Sequence, residues 1–235
     1  MRRLIAVVAS PLLWLTPGLA QEHHHHHGHH GMPAAEGAAK PSSAHAHGHD
    51  LGPAGETYDL RWLDAMVQHH TGALRMSKEL FDVGQPGLGA LANDIWYEQA
   101  REIKAMRQWR KEWYPEAPTY PVAWREGSDP DDVAQLPRMT AEQIQGMQMM
   151  GSKPTEQNRV VWFLEGMLMH HGGALQMAHD ALRKSKTTAI QRLSQQIILS
   201  QRHEINRLRQ MLQHEGLNKP EYRQFDRLFT LKPQG

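Results

Sequence analysis

The chain has 235 residues, and 26 Lys and Arg stand against 25 Asp and Glu, for a formal charge of +1. That balance excludes a basic nucleic-acid surface and an acidic tail, and 40% hydrophobic content supplies a core but not a set of membrane spans. Cys is absent, which excludes thiolate metal sites, disulfides and Cys nucleophiles, whereas 17 His and 13 Met are present.

Residues 1–20 read as an export signal. Arg2 and Arg3 form a charged start, Leu4 to Leu15 is mostly apolar, and Pro17 and Gly18 break the run before Ala20. The run is too short for a spanning helix, so cleavage after Ala20 predicts a periplasmic or secreted chain without stable membrane insertion. Residues 21–55 then carry ten His, namely His23 to His27, His29, His30, His45, His47 and His49. Gly, Ala, Pro and Ser separate them without apolar periodicity, which predicts disorder. Clustered imidazoles on such a segment bind Cu, Ni or Zn ions, less tightly as the pH drops.

The remainder is a duplication. Met66, His69, His70, Gly72, Ala73, Leu74 and Met76 recur, 101 residues on, as Met167, His170, His171, Gly173, Ala174, Leu175 and Met177. At an offset of 102, Gln99, Glu102, Ile103, Arg107 and Gln108 recur as Gln201, Glu204, Ile205, Arg209 and Gln210. Leu63, Val67, Leu74 and Phe81 are spaced for a helix over 57–85, ended by Gly84 to Gly87. A second helix over 88–113 is stopped by Pro115. Their copies span 155–184, with Thr155 as N-cap, and 188–213, with Gly216 and Pro220 beyond.

One hairpin cannot bury its apolar stripe alone, so two hairpins, 56–114 and 155–216, predict an all-α four-helix bundle. Between them lies a Pro-rich linker, 115–154. Thr140 to Gln143 there has capping-box spacing ahead of a short helix bearing Met147, Met149 and Met150. Residues 217–235 form a C-terminal tail.

Successive helical residues turn by about 100°, which gathers Met66, His69, His70 and Met76 into an arc of about 120° around Ala73. Met167, His170, His171 and Met177 repeat that arc around Ala174. A face of imidazole nitrogen and thioether sulfur favours Cu(I) and Ag(I), with Cu(II) also accepted by the rings. Met has no thiol to oxidise, which suits an exported protein. Glu102 and Glu204 lie where they could orient His rings or be solvated helix charges. His179 and His203 have no counterpart in the first repeat, and either enrich the second site or lie on the surface. Met139, Met147, Met149 and Met150 either hold Cu(I) or pack the short helix.

The doubled Met-x-x-His-His-x-Gly-Ala-x-x-Met motif, each copy followed by Gln-x-x-Glu-Ile, resembles the exported domain-of-unknown-function 305 family with its CopM-like copper-binding proteins. The resemblance covers roughly residues 57–113 and 140–214. It implies a ferritin-like four-helix bundle in the periplasm that binds copper through Met66, His69, His70, Met76, Met167, His170, His171 and Met177. The function expected is a non-enzymatic copper chaperone or sequestering buffer in copper tolerance, exchanging ions with a periplasmic donor or acceptor protein. Two other readings are a ferritin-like di-iron oxidase, whose Glu-x-x-His motif is missing outside the His-rich segment, and a helical protein-interaction module. No phosphate loop or nucleophile elbow supports other enzyme chemistry.

Overall fold

The computed structural model describes residues 49–232. The export signal and most of the His-rich segment lie outside the described residues. Five α-helices follow: α1 (Tyr58–Lys78), α2 (Leu88–Trp113), α3 (Ala141–Gln148), α4 (Arg159–Lys184) and α5 (Thr188–His214). Three short 3₁₀ turns add Val133–Gln135, Pro220–Arg223 and Asp226–Phe229. Helix α2 packs on α1, α5 on α4, and α1 on α4, while α3 lies against α1. Two hairpins thus make an all-α four-helix bundle. None of the described helices is long and apolar enough to cross a membrane.

The apolar stripes meet in one core. Trp62, Leu63, Met66, Met76, Leu91 and Ile95 from the first hairpin, and Phe163, Leu164, Met167, Ile198 and Leu208 from the second, are all fully buried. Helices α1 and α4 run antiparallel. Tyr58 Oη donates to Asp180 at 2.9 Å, Trp62 Nε1 donates to the Met177 carbonyl at 3.1 Å, and the Met76 methyl lies over Gly166. These pairings set His69 opposite His170, so the two copies of the motif cross at their histidines.

Two helix ends differ from the sequence expectation. The helix expected to reach residue 85 stops at Lys78, because Glu79, Leu80, Phe81 and Val83 donate three residues back in a tightened turn. That turn takes Phe81 off the helical register and leaves it 42% exposed. Helix α4 begins at Arg159 rather than near Thr155. Thr155 instead donates its N–H to Asn158 Oδ1 at 2.8 Å and does not cap. The linker's capping box is present, with Gln143 N–H donating to Thr140 Oγ1 at 3.1 Å and Thr140 N–H to Gln143 Oε1 at 2.9 Å.

The repeats anchor different appendages through equivalent carboxylates. Asp64 accepts from Arg110 and, at 2.8 Å, from the Val122 N–H, fixing the linker to α1. Burial pushes the Asp64 carboxyl up, while the Arg110 and Val122 bonds pull it down. Its counterpart Glu165 accepts from Lys219 and Tyr222, fixing the C-terminal turns to α4. The tail is therefore packed through Leu228, with Phe225 seated on Gly172.

Gly72 gives the linker helix its close approach. A Cβ there would sit 2.0 Å from the Gln148 carbonyl oxygen. The Gly72→Ala variant is expected to lose about 1–3 kcal/mol, read by urea unfolding, with α3 pushed off α1. Unchanged unfolding would show that this contact is dispensable.

Candidate metal centre

Adjacent residues on a helix point to different neighbours, and this divides each His-His pair. His69 on α1 faces α4 and His170 on α4 faces α1, their ring centroids 3.8 Å apart at 48°. His70 instead faces α2, where its Nε2 lies 2.6 Å from Glu102 Oε2. His171 faces α5 and brings its Nε2 to 2.7 Å from Glu204 Oε2, at an angle short of hydrogen-bond alignment. Of the two readings open for Glu102 and Glu204, the structure takes the ring-contacting one. Each carboxylate engages Nε2 and leaves Nδ1 turned elsewhere, the arrangement by which a carboxylate orients a ligand imidazole.

All four rings are buried, and ring centroids of the adjacent pairs are 6.3 and 6.4 Å apart. Several nitrogens are orphaned. His69 Nδ1 and Nε2, His70 Nδ1, His170 Nδ1 and His171 Nδ1 have no hydrogen-bond partner, and His170 Nε2 contacts only the His69 carbonyl, at 2.9 Å. Buried polar atoms normally find partners. Five unpartnered imidazole nitrogens therefore lie on four neighbouring buried rings.

Electrostatics agree. Burial, then His170 and the other neighbouring rings, hold His69 well below the usual histidine range, and burial with His171 and His70 does the same for His170. Both are neutral lone-pair donors near neutral pH, the form a metal needs. In the metal-free protein the unfolded chain binds protons on these residues below about pH 6.5 while the folded chain does not. Stability is therefore expected to be full above that pH and to fall below it, by at most about 2.7 kcal/mol per pH unit for the two rings together. Urea midpoints across this range check it. A flat profile would mean that both rings protonate in the fold.

The methionines fall into two groups. Met66 and Met167 are buried one turn from His69 and His170, about 4.5 Å along their helices. Met76 and Met177 are also buried, but lie seven residues, about 10.5 Å, beyond the histidines toward opposite ends of the α1–α4 seam. The single arc expected from the sequence is thus drawn out along the helices, because residues seven apart share a face but not a level.

His179 does not join the cluster. It is nine residues along α4 from His170, and its Nε2 contacts the Leu228 carbonyl at 3.0 Å, holding the tail. His203 is exposed on α5, in a groove with Asp94, Glu98, Arg101 and Glu204. Met139 and Met147 are core residues, so the Met-rich linker helix packs onto the bundle. Among the described residues, no three His, Asp or Glu side chains are placed to hold one metal ion together.

Two features near the centre were not legible in the sequence: Glu98, and the placement of His49, named there only as part of the metal-binding His-rich run. Glu98, one turn before Glu102, is pushed up by burial and by nearby Glu204 and Glu102, against a bond from the Ser200 hydroxyl. Only its spacing from Glu102 signalled it. His49, the last residue of the His-rich run, places its ring edge-on to His69 at 5.5 Å.

Fold and site together define a class: a helical bundle of two repeated hairpins with buried His and Met gathered along the seam between them. The chain belongs to the family described as domain of unknown function (DUF305), whose profile matches residues 59–212. CopM in its Cu(II)-bound form is similar at 25% identity, covering 67% of this chain and 97% of that one, with a TM-score of 0.51. CopM in its Cu(I)-bound form gives 24% identity, 67% and 96% coverage, and a TM-score of 0.50. A DUF305 protein from Streptomyces coelicolor gives 23%, 68% and 95%, and 0.50. No protein of curated function matches the chain.

Proposed function

We propose that this protein is an exported, non-enzymatic copper-binding protein that holds Cu(I), and by the same chemistry Ag(I), at the α1–α4 seam. The observation that carries this is the buried His69–His170 pair with three ring nitrogens lacking partners, flanked by Met66 and Met167. A soft monovalent ion tolerates few ligands and prefers imidazole and thioether, so it suits a centre where no three His or carboxylate side chains meet. Zn and Ca, which want fuller N/S or oxygen shells, do not. The similarity to CopM, described in a Cu(II)-bound form, supports a copper-related role. Export follows from the sequence of residues 1–20. Sequestration or delivery in copper tolerance is the role such a centre fits, with Glu102 and Glu204 orienting His70 and His171 rather than binding the ion.

Thermal unfolding with added Cu(I) under reducing conditions tests this. Binding to the folded state raises the midpoint, by about 2.7 kcal/mol of stabilisation at a hundredfold excess over Kd. The Met66→Leu/Met167→Leu variant, close in volume, is expected to lose the preference for Cu(I) and Ag(I) over Zn. No rise with Cu(I), or iron-dependent oxygen consumption by the purified protein, would contradict the proposal.

A further inference from the structure

The chain before α1 folds back over the bundle and is held tightly. Leu51 is buried, and its carbonyl accepts from Arg61 Nη1. Arg61 Nη2 donates to the Pro53 carbonyl at 2.8 Å, and Lys184 Nζ donates to the Gly52 carbonyl at 2.8 Å. The Trp124 ring lies against Gly52, where a Cβ would be 2.3 Å from Cγ, and the Arg61 guanidinium stacks 4.9 Å from that ring. The segment expected to be disordered through residue 55 is therefore fixed from Leu51 onward. These anchors end two residues from His49 and direct it onto the centre.

The glycines of the duplicated motif show what His49 does there. Gly72 and Gly173 are equivalent, and each is covered by an appended segment. On Gly72 the cover is the Gln148 carbonyl of the linker helix; on Gly173 it is the His49 ring. At Gly173 the point that a Cβ would occupy lies 2.9 Å from His49 Nε2 and 3.0 Å from His69 Nε2. Two imidazoles from different parts of the chain thus press on the same bare face of Gly173, a close approach that only glycine allows. His69 Nε2 is fully buried and unpartnered.

We propose that His49 is a ligand of the buried centre. It brings its imidazole beside the unpartnered His69 Nε2, where two ring nitrogens suit a soft monovalent ion. The proposal rests on the copper reading above. The His170 ring does not join those of His49 and His69 at one point in the structure.

The test is competition of the mature full chain against a chromogenic Cu(I) chelator, following the tightest-bound equivalent in wild type, His49→Ala, Gly173→Ala, His69→Ala and, as control, His47→Ala. His49→Ala is expected to weaken that equivalent by at least the ten- to hundredfold that loss of an orienting partner costs. His47→Ala is expected to leave it unchanged. Gly173→Ala keeps every imidazole but drives a methyl against the His49 and His69 rings, and should weaken it similarly; circular dichroism confirms that its helices remain. If His69→Ala weakens binding while His49→Ala behaves as His47→Ala, this inference is overturned and the bundle site stands. If His69→Ala also has no effect, the bundle site itself is lost.

Discussion

The His69→Leu/His170→Leu protein is expected to be more stable than wild type when metal-free, and to lose its tightly held Cu(I). Both rings are fully buried, and three of their four nitrogens have no partner. Each orphaned polar atom costs about 1–3 kcal/mol, whereas Leu fills similar space without that cost. Against this stands the loss of the His170 contact to the His69 carbonyl, a bond worth about 1 kcal/mol. A net gain of about 2 kcal/mol, or several degrees in Tm, should appear in calorimetry. Dialysis against a chelator should at the same time strip the variant of bundle-bound copper. A destabilised variant that keeps its copper would show that the pair serves packing and not binding.

Asp64→Ala should cost the fold much of its stability. The carboxylate is 6% exposed and answers both the Arg110 guanidinium and the Val122 N–H. Removing it leaves the buried Val122 N–H unanswered and the Arg110 cation with only the Pro118 and Tyr120 carbonyls, a loss of about 3 kcal/mol and roughly 10 °C in Tm. The equivalent Glu165→Ala should cost far less, about 1 kcal/mol, because Glu165 is 30% exposed and its Lys219 partner 43%. Urea unfolding of the two variants side by side checks the contrast. Equal losses would mean that the linker is not held through Asp64.

The bundle was legible because the duplication states it twice. Motif offsets of 101 and 102 residues fix two hairpins, and the 3.6-residue period fixes which faces are buried. The site was legible only in composition. An arc drawn on one helix places Met66, His69, His70 and Met76 together, but it cannot show that His69 meets the opposite hairpin while His70 meets Glu102 on its own. Nor does it show that Met76 and Met177 lie at opposite ends of the seam, since that depends on where α1 and α4 cross. The ordered placement of His49 was hidden for another reason. Its neighbours look like a disordered tail by composition, and its order comes from Arg61, Lys184 and Trp124, residues 12 to 135 positions away. Long-range anchoring of this kind leaves no local pattern to read.

The most direct measurement of the central claim is anomalous diffraction at the copper edge from crystals of the protein loaded with one equivalent of Cu(I). The account predicts a peak at the α1–α4 seam beside His69 and His170, with sulfur of Met66 or Met167 nearby. Peaks confined to the outer surface or to the His-rich segment, with the seam empty, would contradict it.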